Sequence, residues 1–253
     1  MPPDKIDVLS VGVSVLNLPS ATQAVLDAVA NRQKGYVCVT GVHGIIEAQD
    51  DPEFRDILNN AFLCTPDGVP LVWVGRAQYG KSHMARVYGP DLMWEIFKAS
   101  NDIPIRHFFY GGKEGVAEQL KSRLLQHFPN AIVAGIYCPP FRPLTDDEEN
   151  TLAKQIRDAE PDIVWIGLST PKQERFMAAH LDNLATTVMI GVGAAFDFHA
   201  GLLDQAPPWI QKAGLEWLYR LVKEPKRLWN RYSHIVPRFL FLISKQLCCP
   251  PGK

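Results

Sequence analysis

Asp67 stands in Thr65-Pro66-Asp67-Gly68, directly after the apolar run Phe62–Cys64 and before a second apolar stretch. A carboxylate at the end of a buried strand is partly desolvated, which moves its pKa toward the range of a general base. The same position suits an aspartate N-cap for a helix over Val69–Ala77, and the residue types alone favour neither reading. Further polar groups follow other apolar runs: Thr40 after Tyr36–Val39, Gln173 beyond Gly167, and Asp197 beyond Gly191-Val192-Gly193. The run Asp162–Leu168 empties into Ser169-Thr170-Pro171-Lys172-Gln173-Glu174-Arg175, a small-residue turn opening a helix. Free backbone N–H groups at such a start attract phosphate, and open α/β sheets collect ligands beyond the carboxyl ends of their strands.

Each of these residues also has a plainer explanation. Thr170-Pro171-Lys172-Gln173 reads as a capping box with proline at the first helical position, which accounts for Gln173 structurally. Gly111-Gly112 leads from strand to helix and would seat a diphosphate, yet two glycines also make an ordinary turn. His43 follows Thr40-Gly41-Val42 at a strand end, where ligand contact and helix-start packing are equally well served. No Asp-x-Asp occurs, so a diphosphate leaving group would need protein cations in place of a bridging metal. Lys172 and Arg175 at the helix start, or Arg220, Lys223, Lys226, Arg227 and Arg231 near the C-terminus, are available; a solvated basic face is the plainer role for most of them. Nucleophile elbows are absent, and the first strand runs into Ser14-Val15-Leu16-Asn17 with no glycine set, which disfavours a standard NAD site.

The elements that must position these groups alternate in type. Apolar runs Val8–Val13, Tyr36–Thr40, Phe62–Cys64, His107–Tyr110, Ile132–Ala134, Ile163–Gly167 and Val188–Gly191 are spaced by segments of helical period. That pattern predicts an α/β fold: a Rossmann-like, mostly parallel sheet flanked by helices, with a C-terminal helical appendage. Ser20-x-x-Gln23 and Thr145-x-x-Glu148 read as capping boxes, Asp51-Pro52 as an N-cap followed by proline, and Gly35 as a helix stop. After Pro207-Pro208 strand patterns end, so residues 1–206 are expected as the sheet domain and 207–253 as the appendage. Residues 215–245 carry seven basic and two acidic groups, against 18 and 25 over residues 1–214. A basic, aromatic helical tail suits an anionic membrane surface, although a hairpin packed on the sheet or on a partner subunit has the same pattern. Five cysteines without C-x-x-C or zinc-ligand spacing point away from a disulfide framework or structural metal. No signal-peptide core or spanning segment is visible, and a cytoplasmic location is expected.

Taken together, five ordered motifs resemble the bacterial WecG/TagA/CpsF glycosyltransferase family from about Val8 to Tyr232. They are Thr65-Pro66-Asp67-Gly68; Arg86-Val87-Tyr88-Gly89-Pro90-Asp91-Leu92; Gly167-Leu168-Ser169-Thr170-Pro171-Lys172-Gln173-Glu174; Gly191–Asp197 with Gly201; and Leu215–Leu221 with Glu224-Pro225-Lys226-Arg227. The resemblance implies an inverting, metal-independent transferase. It would move a hexose, N-acetylhexosamine or its uronic acid from a UDP-sugar, a substrate rather than a cofactor, onto a polyprenyl-diphosphate-linked saccharide. It further implies peripheral attachment to the inner face of the cytoplasmic membrane, a capacity for homo-oligomer formation and no nucleic-acid partner. By position, Asp67 corresponds to the catalytic base, Thr40 and Gln173 to polar groups lining the active site, and Arg220 and Arg227 to appendage arginines facing the diphosphate. Arg231 falls one position beyond the third such arginine; Gly111, Gly112, Lys172 and Asp197 complete the expected donor side. Where many members read Thr-Pro-Asn, this chain has Thr40-Gly41-Val42 and then His43, an acceptor-side candidate. That departure leans toward exopolysaccharide or capsule synthesis over wall teichoic acid. A nucleotide-cofactor oxidoreductase and a non-catalytic membrane-associated scaffold of a polysaccharide assembly complex are the alternative classes.

Overall fold

A computed structural model describes residues 3–248, with the side chains of Pro208, Lys212 and Arg227 outside the described set. The chain opens as a hairpin, β1 (Lys5–Val8) and β2 (Val11–Ser14), rather than the single strand Val8–Val13 that its apolar residues predict. Leu9 and Ser10 both take left-handed backbone, φ 52° and 65°, the primed turn that matches strand twist. Neither is Gly or Asn, so no local signal announces the turn. Distant side chains satisfy it instead: Gln246 Oε1 accepts from Leu9 N at 2.7 Å, Gln49 Nε2 donates to Leu9 O at 2.8 Å, and Asn59 Nδ2 donates to Ser10 O at 3.1 Å.

Helix α1 (Leu18–Ala30) begins before Ser20, so the expected Ser20–Gln23 cap lies inside the helix. The stop is likewise earlier than Gly35. The amides of Asn31, Arg32 and Gln33 bond back to the carbonyls of Asp27, Val29 and Ala28, and Arg32 turns left-handed at φ 51°. Gly35 instead opens β3 (Gly35–Thr40). Helix α2 (Val42–Asp50) is followed by α3 (Pro52–Asn60), where Asp51 Oδ1 accepts from Phe54 N at 2.9 Å, as its N-cap position predicts. Then come β4 (Leu63–Pro66), α4 (Val69–Tyr79), α5 (Gly89–Ser100), β5 (Arg106–Gly111), α6 (Val116–His127) and β6 (Ile132–Tyr137). Both bonds of the Thr145–Glu148 capping box start α7 (Asp146–Ala159). β7 (Ile163–Gly167), α8 (Lys172–Ala179), β8 (Val188–Gly191) and α9 (Ala195–His199) precede the C-terminal helices α10 (Pro208–Lys212), α11 (Glu216–Lys223) and α12 (Pro225–Cys248).

The main sheet has six strands in the order β4-β3-β8-β7-β5-β6. The β3–β8, β8–β7, β7–β5 and β5–β6 ladders are all parallel, giving a Rossmann-like α/β architecture. Strands covered on both faces need near-continuous apolar sequence, which Ile163–Ile166 and Val188–Ile190 supply. The outermost strand β6 is only half-buried along its length.

The chain divides into two compact units, one formed by Met1–Asn17, Thr40–Val87 and Gln205–Lys253 and the other by Leu18–Val39 and Tyr88–Asp204. In the first, Cys64 N donates to Ser14 Oγ at 3.1 Å, joining the hairpin to β4. Helix α12 lies against α2, buries Leu228, Phe239 and Ile243, and pairs Arg238 with Asp50. In the second, Trp165, Phe97, Phe108, Phe109 and Phe196 form an aromatic core, all less than 2% exposed. Among the described residues, no helix is long and apolar enough to cross a membrane.

Candidate active site

Asp67 sits in the tight turn between β4 and α4 in the first unit. The residue capping α4 is Gly68, with extended backbone and no side-chain cap bond, so the N-cap reading of Asp67 does not hold. The Asp67 amide donates to Thr40 O at 3.0 Å, joining the ends of β3 and β4. Arg86 holds the other side: its Nε donates to Asp67 O at 2.7 Å, and its Nη2 lies 3.7 Å from Asp67 Oδ1. Thr40 is buried, and Cys64 Sγ donates to its hydroxyl at 3.4 Å. Gly41, which follows Thr40, packs beside the carboxylate: a Cβ there would lie 3.8 Å from Asp67 Oδ2, at ordinary contact distance.

His43 lies in the first turn of α2 and is half-buried. Burial, followed by the positive charge of Arg231, pushes its pKa down to about 4. The ring is therefore neutral at physiological pH, and its 3.8 Å approach to Glu47 is not an ion pair there. Arg231 itself is exposed on α12, while Arg220 is half-buried in the last turn of α11. The Arg227 side chain lies outside the described residues.

In the second unit Gln173 is not a capping group. Helix α8 starts at Lys172 with Pro171 ahead of it and no side-chain cap. The capping pattern fails because Thr170 Oγ1 donates to Glu174 Oε1, at 2.9 Å, instead of accepting from the helix start. Gln173 turns inward and is 3% exposed. Its Nε2 donates to Glu174 Oε1 at 2.9 Å and its Oε1 accepts from Gly193 N at 3.0 Å, which fixes the amide orientation. Gly191 makes this possible, since a Cβ there would stand 3.0 Å from Gln173 Cδ. Glu174 is also buried, its Oε2 has no hydrogen-bond partner among the described residues, and burial pushes its pKa up against the hydrogen bonds from Gln173 and Thr170.

Gly111 takes φ 115°, and a Cβ on it would stand 2.8 Å from the backbone of Gly167. The close approach of β5 to β7 thus requires glycine, and Gly112 N donates to Gly167 O at 3.1 Å. Both glycines thus meet a backbone requirement of the turn, with φ 115° at Gly111 and 79° at Gly112. Lys172 is exposed, its Nζ 5.0 Å from the ring centroid of Phe141. Asp197 is half-buried in the first turn of α9. Among the described residues, no group of three or more His, Cys, Asp and Glu side chains could hold a metal ion.

The structure therefore ties Asp67 directly to Thr40 in one unit, and Gln173 to Glu174 and Gly193 in the other. Sequence reasoning passed over Arg86 and Glu174 as individuals. Both stand in motifs quoted above, but the only signal was a charged residue inside an otherwise apolar or turn-forming motif, which a solvated surface group gives equally.

A parallel α/β sheet with positioned polar side chains just beyond its strand ends defines a Rossmann-like ligand-handling enzyme. The family model described as glycosyl transferase WecG/TagA/CpsF matches residues 6–251, and the chain belongs to that family; it is a glycosyltransferase. Three curated relatives share the name N-acetylglucosaminyldiphosphoundecaprenol N-acetyl-beta-D-mannosaminyltransferase. The protein of Bacillus subtilis (strain 168) is 31% identical over 78% of this chain and 73% of its own length. That of Bacillus spizizenii is 31% identical over 85% and 81%, and that of Staphylococcus aureus (strain MW2) 26% identical over 95% and 92%. Membership sets aside the oxidoreductase and scaffold alternatives.

Proposed function

We propose that this enzyme transfers an N-acetylhexosamine from a UDP-sugar to an N-acetylglucosamine carried on a polyprenyl diphosphate, with inversion and without a metal ion. The acceptor class and the amino sugar are supported by the names of the three relatives. The observation that carries the mechanism is the setting of Asp67 at the joined ends of β3 and β4, its backbone clamped by Thr40 and Arg86 and its carboxylate beside Gly41. Asp67 takes the proton of the acceptor hydroxyl as that oxygen bonds to the anomeric carbon. The bond from that carbon to the diphosphate oxygen breaks on the opposite face, so a single displacement inverts the centre.

Negative charge grows on the departing UDP. Arg220, Arg227, Arg231 and Lys172 are the cations proposed to stabilise it, with the turn at Gly111-Gly112 on the donor side. Thr40 is assigned to the acceptor-side wall beside Asp67, Gln173 and Asp197 to the donor sugar, and neutral His43 to an acceptor hydroxyl. The product is placed in an exopolysaccharide, capsule or related surface glycan, made at the inner face of the cytoplasmic membrane. The C-terminal helices support membrane contact: Trp209, Val222, Trp229, Leu240 and Phe241 are all exposed, among basic side chains.

The test is a panel of UDP-hexoses, UDP-N-acetylhexosamines and UDP-uronic acids against a short-chain lipid diphosphate bearing N-acetylglucosamine, with the anomeric configuration of the product read by NMR. Asp67→Asn should lower kcat by about 10²–10⁴-fold while UDP affinity stays within about threefold. Activity retained in Asp67→Asn removes the base assignment, activity lost with EDTA removes metal independence, and a retained configuration removes the single displacement.

A further inference from the structure

Arg86 has no role in the reaction as set out above, yet its guanidinium joins the Asp67 turn to two residues of the C-terminal helices. We propose that Arg86 is a positioning residue that sets Asp67 and fastens helices α10 and α11 to the β4–α4 turn through Gln211 and Glu216. Its Nε donates to Asp67 O at 2.7 Å, its Nη1 to Gln211 Oε1 at 3.2 Å and its Nη2 to Glu216 Oε2 at 2.5 Å. The same Nη2 is 3.7 Å from Asp67 Oδ1. Arg86 and Glu216 side chains are only 18% and 14% exposed, so this contact is not a loose surface ion pair. The next residue extends the clamp, because Val87 N donates to Pro66 O at 2.9 Å.

Only arginine has the chemistry for this arrangement. Its planar group carries N–H donors on three nitrogens in fixed directions, so one side chain reaches a backbone carbonyl, an amide oxygen and a carboxylate together. The split of Nη2 between two carboxylates has a consequence for catalysis. A base locked into a bidentate arginine pair has its lone pairs engaged and takes a proton poorly. Here Glu216 takes the short contact and holds the guanidinium at the longer distance from Asp67. The carboxylate is thereby oriented through its backbone carbonyl and a longer contact to Oδ1 instead of through a bidentate pair with Arg86. Gln211, on α10, in turn donates through Nε2 to Ala206 O at 2.7 Å, so the clamp continues into the segment ahead of that helix. Docking of the C-terminal helices and the setting of Asp67 are thus one event rather than two.

This inference rests on the reading of Asp67 as the base, and its test separates the two. In the full-length protein, Arg86→Met, Arg86→Lys and Glu216→Gln are compared with the wild type by steady-state kinetics on the most active UDP-sugar of the panel. Amide hydrogen exchange is followed over residues 208–224. Arg86→Met is expected to lower kcat about 100-fold with donor KM within about threefold, and to speed exchange in α11 about tenfold while β5, β7 and β8 stay protected. Arg86→Lys is expected to recover less than a tenth of the lost rate, since a point charge cannot hold three partners. Glu216→Gln keeps an acceptor oxygen, leaves the fold intact, and should lower kcat several-fold with faster exchange in α11. Unchanged α11 exchange in both Arg86→Met and Glu216→Gln overturns the clamp, as does a kcat within threefold of wild type in both. If Arg86→Met does not fold, Glu216→Gln decides alone by the same two criteria. Failure of the substrate reading appears separately, as a wild type inactive on the whole panel with exchange behaviour unaffected.

Discussion

Part of the acid sensitivity of this fold should pass through one buried ring, His107 on β5. It is fully buried, accepts from Trp165 Nε1 through Nδ1 at 3.1 Å, and meets Ser100 Oγ through Nε2 at 2.9 Å. An indole N–H only donates, so Nδ1 is the acceptor and Nε2 carries the proton toward Ser100, which donates onward to Ile96 O at 2.7 Å. A second proton on Nδ1 would confront the indole N–H with nothing to receive it, and burial pushes the pKa from 6.5 down to about 3. The unfolded chain binds that proton near pH 6.5 and the native state does not. Stability from this group is therefore complete above 6.5 and is lost as pH falls toward 3. Between pH 7.5 and 4.5 the loss is about 2.7 kcal/mol, two pH units at about 1.36 kcal/mol each.

The assay is urea unfolding of the wild type and His107→Leu at both pH values. At pH 7.5 the variant should be less stable by about 1–3 kcal/mol, because Trp165 Nε1 is left buried without a partner. At pH 4.5 that deficit should shrink by about 2.7 kcal/mol. His43 and His199 also have lowered pKa values and destabilise in the same direction, but both are present in each protein and cancel. A stability difference that stays constant between the two pH values would refute the argument.

Glu174 runs with the opposite sign. Burial raises its pKa, so the native state keeps a proton that the unfolded chain releases, and its contribution falls as pH rises above the ordinary glutamate value of 4.5. Glu174→Gln should therefore have a higher Tm than wild type at pH 8 and lose that advantage at pH 4, as scanning calorimetry would reveal; an advantage independent of pH would count against it. Replacing exposed Trp229 and Phe241 together by glutamate should weaken sedimentation with vesicles containing anionic phospholipid by at least about tenfold, from lost apolar burial and added repulsion, with circular dichroism unchanged. Undiminished binding would move the contact away from α12.

The alternating apolar runs were enough to predict a parallel α/β sheet, because strands buried on both faces must be apolar throughout and helices between them must show their own period. Thr145–Glu148 and Asp51–Pro52 were legible for a related reason: a helix start is decided within four consecutive residues. Motif order alone also pointed to the glycosyltransferase family. The opening hairpin was invisible, since Leu9 and Ser10 are not turn-forming types and their left-handed turn is satisfied by Gln246, Gln49 and Asn59 from elsewhere in the chain. Asp67 and Gln173 were named from the sequence, but whether they cap helices was undecided there. Only folding turned Gln173 inward onto Gly193 and gave the α4 cap to Gly68. The partnership of Arg86 with Asp67, Gln211 and Glu216 spans up to 130 residues. No local pattern encodes a contact of that separation: its energy comes from the geometry of three segments brought together, and that geometry exists only in the folded chain.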